Sequence, residues 1–85
     1  MAIMYLLINC KEKSESTLLS ELEVIPQIRS VLRVIGPYDI VAKIQIDDEE
    51  EYRGLSEIAC RIRKMNNIRS TMTLLTKSIE NTIVN

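Results

Sequence analysis

The sequence predicts one small α+β domain that spans all 85 residues in the order β-α-β-β-α-β. Four short stretches carry the consecutive or alternating apolar residues typical of strands, and two longer stretches carry apolar residues every three or four positions, which indicates helices. Turn-forming or helix-breaking residues separate these stretches. Two β-α-β units with right-handed crossovers make a ferredoxin-like sandwich, in which a four-stranded antiparallel sheet carries both helices on one face.

The first half of the chain contains two predicted strands and the helix between them. Residues 3–8 are apolar at every position, which predicts a strand covered on both faces. A helix is expected over residues 14–25, where apolar side chains form one stripe, and Pro26 ends it. The second strand is expected over residues 28–35. The stripe of the helix consists of Leu18, Leu19, Leu22 and Ile25.

The second half repeats this arrangement. Residues 39–46 alternate between apolar and other side chains, which predicts a third strand with one dry face. A second helix is expected over residues 48–65 and a last strand over residues 68–76. The acidic residues 48–51 have capping-box spacing and suit the positive end of the helix dipole, so we interpret them as a solvated helix start rather than a metal site.

A short repeat supports the division into two similar halves. The tripeptide Ile-Arg-Ser occurs at residues 28–30 and again at residues 68–70. Each copy opens a predicted strand that follows a helix. Three matching residues carry little weight alone, so the halves are inferred mainly from the order of the elements.

The connection between the second and third strands is the first place to look for a ligand site. Gly36 can adopt a positive φ and Pro37 fixes the φ of the next position, so a tight corner is expected. Asp39 is expected to accept hydrogen bonds from nearby backbone N–H groups and to keep the corner in one shape. A rigid corner with exposed amides suits a small polar ligand.

Composition argues against several classes of function. With 11 basic and 12 acidic residues the net charge is -1, which argues against binding nucleic acid through its phosphates. There is no histidine, and Cys10 and Cys60 form no CxxC motif, so neither a metal nor a cofactor is expected. Both cysteines are interpreted as buried thiols. The absence of a signal peptide or a long apolar run predicts a cytoplasmic location without membrane contact.

The face of the sheet that carries no helix is expected to be apolar. Either Tyr5 and Leu7, or else Met4, Leu6 and Ile8, must point away from the helices. A second copy packed sheet against sheet would bury this surface, which stabilises by about 25 cal/mol per Å². The alternative is that long polar side chains screen the strip. We expect a dimer, because exposed apolar strips of this kind usually mark interfaces.

Two sequence motifs and the order of elements resemble one known module. The motifs are Gly-Pro-Tyr-Asp-Ile-Val at residues 36–41 and Ser-Thr-Met-Thr-Leu at residues 70–74. They resemble the effector-binding domain of the leucine-responsive regulatory protein/AsnC (Lrp/AsnC) family of transcription regulators, also called the regulation of amino acid metabolism (RAM) domain. In that family an apolar strand is followed by Gly, a variable residue, an aromatic residue, Asp and another apolar strand, and the last strand shows Thr-x-Thr. The resemblance covers nearly the whole chain.

The resemblance implies a mode of assembly and a ligand. It implies a homodimer formed through the open sheet faces, further assembly into a ring-like or disc-like oligomer, and free amino acids bound in the crevices between dimers. Loop amides would bind the carboxylate, and hydroxyl or carboxylate groups would bind the ammonium. The ligand-facing residues would be Gly36, Pro37, Tyr38 and Asp39 of the corner, with Thr71 and Thr73 of the last strand.

The resemblance also implies how such a module would act. Full-length family members carry an N-terminal helix-turn-helix domain that binds DNA, whereas the first strand here begins at about residue 3. The chain therefore resembles a stand-alone effector module that is not expected to bind DNA directly. Its partners would be its own copies, full-length regulators of the family, or an enzyme of amino-acid metabolism.

Each of these residues also has a purely structural interpretation. Asp39 would only stabilise the corner, Tyr38 would pack between subunits, and Thr71 and Thr73 would be ordinary strand residues. Gly36 is interpreted as a conformational requirement rather than a source of specificity.

Three other classes of protein share the predicted topology. The ACT domain, another amino-acid sensor, places glycine in the loop after its first strand, and residues 10–14 contain none. An RNA-binding module would stack bases on sheet aromatics, but the chain has no Phe or Trp. A small dimeric ferredoxin-like enzyme of isomerase or monooxygenase type remains the enzymatic alternative, with Asp39 and the tyrosines as its candidate acids or bases.

Overall fold

The computed structural model describes residues 2–46 and 51–76 and confirms the predicted α+β fold. The strands form one antiparallel sheet in the order β2-β3-β1-β4, so β1 and β3 lie at its centre, as in a ferredoxin-like sandwich. The elements are β1 (Ala2–Cys10), α1 (Glu15–Glu23), β2 (Ile28–Arg33), β3 (Ile40–Ile46), α2 (Glu51–Arg63) and β4 (Ile68–Leu75).

The central strand β1 shows which side of the sheet forms the core. Met4, Leu6 and Ile8 are at most 1% exposed and pack with the apolar stripes of the two helices. Tyr5 and Leu7 point to the opposite face and are only half-buried. The sequence left open which of two sets of β1 residues faces the helices, and the structure places Met4, Leu6 and Ile8 in the core. The same alternation runs through β3.

Several elements end at other residues than the sequence predicts. Helix α1 ends early because Ile25 N–H donates to Leu22 O (3.1 Å), a tighter turn than an α-helical one. Strand β2 ends at Arg33 because Val34 N–H donates to Asp39 O (3.0 Å) and closes the connection to β3. The predicted start of the second helix, with its acidic residues 48–50, lies outside the described residues.

The two Ile-Arg-Ser strings occupy equivalent places in the sheet. Strand pairing skips Arg29 at the start of β2 and Arg69 at the start of β4, so each arginine is the extra residue of a bulge. The residues before the strings also correspond, since Gln27 O accepts Gln45 N–H and Asn67 O accepts Lys11 N–H, both at 2.9 Å. The two halves therefore share local geometry as well as element order.

The open face of the sheet carries the apolar surface that the sequence predicts. Leu32, Met72 and Leu74 are 47–60% exposed there. They pair across neighbouring strands with Val41, Leu7 and Tyr5, which lie on the same face. We call this surface the open-face patch, and its residues are Tyr5, Leu7, Leu32, Val41, Met72 and Leu74.

Neither helix of the described part of the chain is long and apolar enough to cross a bilayer.

Candidate ligand-binding site

The predicted corner is a closed turn between β2 and β3. Gly36 has φ = +145°, a backbone conformation that side-chain-bearing residues rarely adopt. A Cβ atom at this position would meet no other atom within 4 Å, so glycine is required by the backbone angle and not by lack of space. Residues 35–37 are exposed, and Tyr38 and Asp39 are half-buried.

Asp39 ties the corner to the end of β1. Its backbone N–H donates to Ile8 O (2.9 Å), and its carboxylate Oδ2 accepts the backbone N–H of Cys10 (3.0 Å). The carboxylate therefore accepts a backbone N–H as expected, but from the end of β1 rather than from the turn itself. The sequence could not indicate the contact, because its two residues lie 29 positions apart.

The thiol of Cys10 lies against the same carboxylate. Its Sγ donates to Asp39 Oδ2 at 3.7 Å. Burial and the neighbouring carboxylate together raise the pKa of the Cys10 thiol, although a hydrogen bond with Ser14 opposes the shift. Cys10 is buried as expected, whereas the same expectation for Cys60 was wrong, because its side chain is exposed on α2.

Tyr38 reaches from the corner onto the open face of the sheet. Its hydroxyl donates to Met72 Sδ at 3.6 Å. Met72 lies opposite Leu7 in the open-face patch. The aromatic residue of the corner therefore sits beside the surface expected to bind a second copy.

Thr71 and Thr73 lie on the other face of the sheet. They pair with Ile8 and Leu6, which are buried beneath the helices. Thr71 Oγ1 accepts the Arg63 Nε–H at 3.3 Å. Thr73 Oγ1 is buried and has no hydrogen-bond partner among the described residues. It lines a cavity of about 170 Å³ between α2 and β4.

The six predicted ligand residues thus fall into two groups within one protomer. The corner, residues 36–39, lies at the end of β1 with Tyr38 over the open face. Thr71 and Thr73 face α2 on the opposite side. A single ligand touching all six would have to lie between different copies of the chain.

Sequence reasoning missed the α2 residues that accompany the two threonines. Ser56, Cys60 and Arg63 line the same cavity as Thr73. Ser56, Cys60 and Arg63 are spaced by four and three positions, which places them on one face of the helix. This spacing was the signal in the sequence that could have identified them.

The corner also borders a charged cavity. This cavity of about 330 Å³ is lined by Asp39, Arg69 of the β4 bulge, Cys10 at the end of β1, residues 11–13 of the loop that follows, and Glu15 of α1. Lys13 in that loop has a positive φ of 61°. The cavity brings acidic and basic side chains close together, so it offers partners to both ends of a zwitterion.

Comparison with known sequences gives a match over almost the entire chain. The family model of the Lrp/AsnC ligand binding domain matches residues 3–82. A homocitrate synthase of Sulfurisphaera tokodaii is 32% identical over 69 residues. That stretch is 80% of this chain but only 14% of the enzyme.

Solved structures share the fold. A protein of Thermus thermophilus superposes with a TM-score of 0.84 at 25% identity, over 96% of this chain and 100% of that one. AsnC of E. coli gives 0.72 at 22% identity, over 96% of this chain and 56% of that one. A transcriptional regulator of Neisseria meningitidis in complex with L-Met gives 0.73 at 10% identity, over 95% and 53%. The last two likenesses concern the fold alone.

The residues that suggested the resemblance lie within the matched range. The chain belongs to the Lrp/AsnC ligand binding domain family.

Proposed function

We propose that this chain is an effector module that binds a free amino acid and acts through assembly rather than through catalysis. Family membership supports a regulatory ligand-binding role. A regulator of the same fold from Neisseria meningitidis was solved with L-Met, and that protein lends support to an amino-acid ligand here.

The geometry of the corner is the observation that carries the proposal. Three hydrogen bonds of 2.9–3.0 Å hold its ends: Val34 N–H to Asp39 O, Asp39 N–H to Ile8 O, and Cys10 N–H to Asp39 Oδ2. Between these ends, the N–H groups of residues 35, 36 and 38 form no hydrogen bond with any described residue. Fixed backbone donors of this kind bind a carboxylate without having to reorganise.

The ammonium group of the ligand needs acceptors that the corner alone does not supply. Asp39 Oδ2 already accepts from Cys10, but the carboxylate also lines the charged cavity. The Thr71 hydroxyl of another copy would supply one acceptor, whereas Thr73 Oγ1 is buried against α2 of its own protomer. We therefore propose a ligand groove between copies.

The open-face patch supports dimerisation through the sheet. Leu32 on β2 and Met72 and Leu74 on β4 are exposed at the two edges of the sheet. Tyr5 and Leu7 on β1 lie between them. Packing two such faces removes apolar area from water, which contributes about 25 cal/mol per Å². Tyr38 would then lie at the rim of the dimer and next to the corner.

Melting curves in the presence of each of the twenty amino acids test the ligand. A ligand that binds only the folded state raises the melting temperature, and the rise grows with its concentration. We expect a selective rise for one or a few amino acids. A flat response to all twenty at millimolar concentration would contradict the proposal.

Two conservative variants show whether the rise comes from the corner. Tyr38→Phe removes one hydroxyl, and Asp39→Asn removes one charge while keeping an oxygen acceptor for Cys10 N–H. We expect both to reduce the ligand-induced rise more than they reduce the melting temperature without ligand. The exposed Glu23→Gln substitution on α1, which also removes one negative charge, serves as the control for a general effect of charge.

Native mass measurement and sedimentation test the assembly. We expect a dimer or a multiple of it at micromolar concentration. A monomer at all concentrations would remove the groove between copies and with it the proposed site.

The downstream partner would be either a regulator of the family or a metabolic enzyme. The similarity to part of a homocitrate synthase supports the second class. Proteins that co-purify with the tagged chain, in the presence and absence of the amino acid that raises its melting temperature, distinguish these two classes of partner. Recovery of a regulator and no enzyme, or the reverse, identifies the class.

A further inference from the structure

The cavity between α2 and β4 has the features of a second ligand site. It lies within one protomer and has a volume of about 170 Å³. One molecule of liquid water occupies about 30 Å³, so this space matches a small organic acid better than a single ordered water. Cys60 and Leu75 on its border are exposed, which gives it access to solvent.

Thr73, one of the residues that line this cavity, carries an unpaired hydroxyl. Thr73 Oγ1 is buried, and no described residue accepts or donates a hydrogen bond to it. Buried polar groups without partners are rare in folded proteins because their lost hydration is not replaced. A ligand oxygen in the cavity would supply the missing partner.

A positioned guanidinium borders the same space. Arg63 donates its Nε–H to Thr71 Oγ1 at 3.3 Å, so one edge of the group is held by β4. No described residue pairs with its terminal nitrogens, so they can bind a carboxylate, which guanidinium groups do through two parallel hydrogen bonds. None of the described lining residues is acidic, so the cavity offers an ammonium group no partner of opposite charge.

Apart from Ser56 and Cys60, the remainder of the lining is apolar. Met4 and Leu55 are 1% exposed, and Ala59 and Leu75 complete that part of the wall. A short aliphatic chain would pack against this part of the wall without leaving a polar group unpaired.

We propose that this cavity binds a short aliphatic monocarboxylate that bears an oxygen on its second carbon, a 2-oxo or 2-hydroxy acid, in preference to the corresponding amino acid. The carboxylate pairs with Arg63, the second oxygen accepts from the Thr73 hydroxyl, and the alkyl group packs against Met4 and Leu55. The site is complete in one protomer, so it is independent of the amino-acid groove proposed above.

Calorimetric titration of the full chain tests the site with three probes of equal size. The probes are 3-methyl-2-oxobutanoate, L-valine and 3-methyl-2-oxobutanamide, which differ in the ammonium and carboxylate groups. We expect the oxo acid to bind about tenfold or more tightly than either of the others, the size expected for one charge-assisted hydrogen bond. Equal binding of all three, or no binding of the oxo acid at millimolar concentration, overturns the proposal.

Matched variants assign the binding to the cavity. Arg63→Gln should weaken the oxo acid about tenfold or more, whereas Arg61→Gln, an equal loss of charge on the same helix, should leave its affinity unchanged. Thr73→Val should weaken binding but raise the melting temperature of the free protein, since an unpaired buried hydroxyl is lost, and Thr73→Ser should restore binding. Equal effects of the two arginine variants, or full binding by Thr73→Val, overturn the proposal.

A variant of the open-face patch separates this site from the groove between copies. Leu74→Glu should dissociate the dimer and abolish the amino-acid response, while the oxo acid binds the resulting monomer with unchanged affinity. Loss of oxo-acid binding on dissociation overturns the one-protomer site and leaves the amino-acid proposal in place.

Discussion

Removal of the Asp39 carboxylate tests the contact that ties the corner to β1. Asp39 Oδ2 accepts the Cys10 N–H at 3.0 Å in a partly buried position. A hydrogen bond to a charged group contributes about 1.5–3 kcal/mol, and a buried N–H left without an acceptor costs a similar amount. We expect Asp39→Ala to lower the free energy of unfolding by about 2–3 kcal/mol. For a domain of this size the melting temperature should then fall by roughly 10–20 °C.

Asp39→Asn is the matched control, because the amide oxygen still accepts from Cys10 while the charge is lost. The free energy of unfolding of Asp39→Asn should fall by about half as much, since a hydrogen bond between neutral groups contributes about 1 kcal/mol. Both variants must be melted at one protein concentration, since assembly makes the melting temperature concentration-dependent.

Hydrogen exchange at the Cys10 amide supplies a local readout. Its protection should fall in Asp39→Ala, while amides at the centre of β3 lose protection only as far as global stability falls. If the variant melts like the wild type and the Cys10 amide keeps its protection, the reasoning about this contact is refuted.

Four further predictions concern the corner, the open face and the thiols. Gly36→Ala should lower stability by about 1–3 kcal/mol in urea denaturation, because alanine is strained at a φ of +145°, and an unchanged midpoint would contradict this. Leu74→Glu should give a monomer in sedimentation, while Val24→Glu, at an apolar position that is more exposed (77% against 51%) but lies outside the open-face patch, should not. At neutral pH a thiol reagent should modify the exposed Cys60 at once and Cys10 only after unfolding. Because the folded state raises the pKa of Cys10, stability should decrease as the pH rises above the ordinary thiol pKa, and Cys10→Ala should abolish that decrease.

Prediction from sequence succeeded where the signal is local. Leu18 and Leu22 of α1 and the alternating apolar residues of 40–46 are buried as expected. Both predictions depend only on spacing within a single element. The boundaries were less accurate, because turn hydrogen bonds such as Val34 N–H to Asp39 O end an element before its apolar pattern ends.

Prediction of the site succeeded only in part for the same reason. The corner glycine was identified because its backbone preference is a property of one residue. The α2 partners of Thr73 were missed, because Arg63 and Ser56 approach β4 only through tertiary packing. Whether the six expected residues bind an amino acid stays a prediction.

The sequence by itself determined the order of the elements, the shape of the corner and the excess of apolar side chains on β1, since these follow from spacing and backbone preferences along the chain. Only the tertiary structure decided that Tyr5 and Leu7 face outward, that Asp39 bonds Cys10, and that Thr73 faces α2. The physical reason is strand register: each residue's face depends on its pairing with neighbouring strands, and a slip of one position would reverse every side chain.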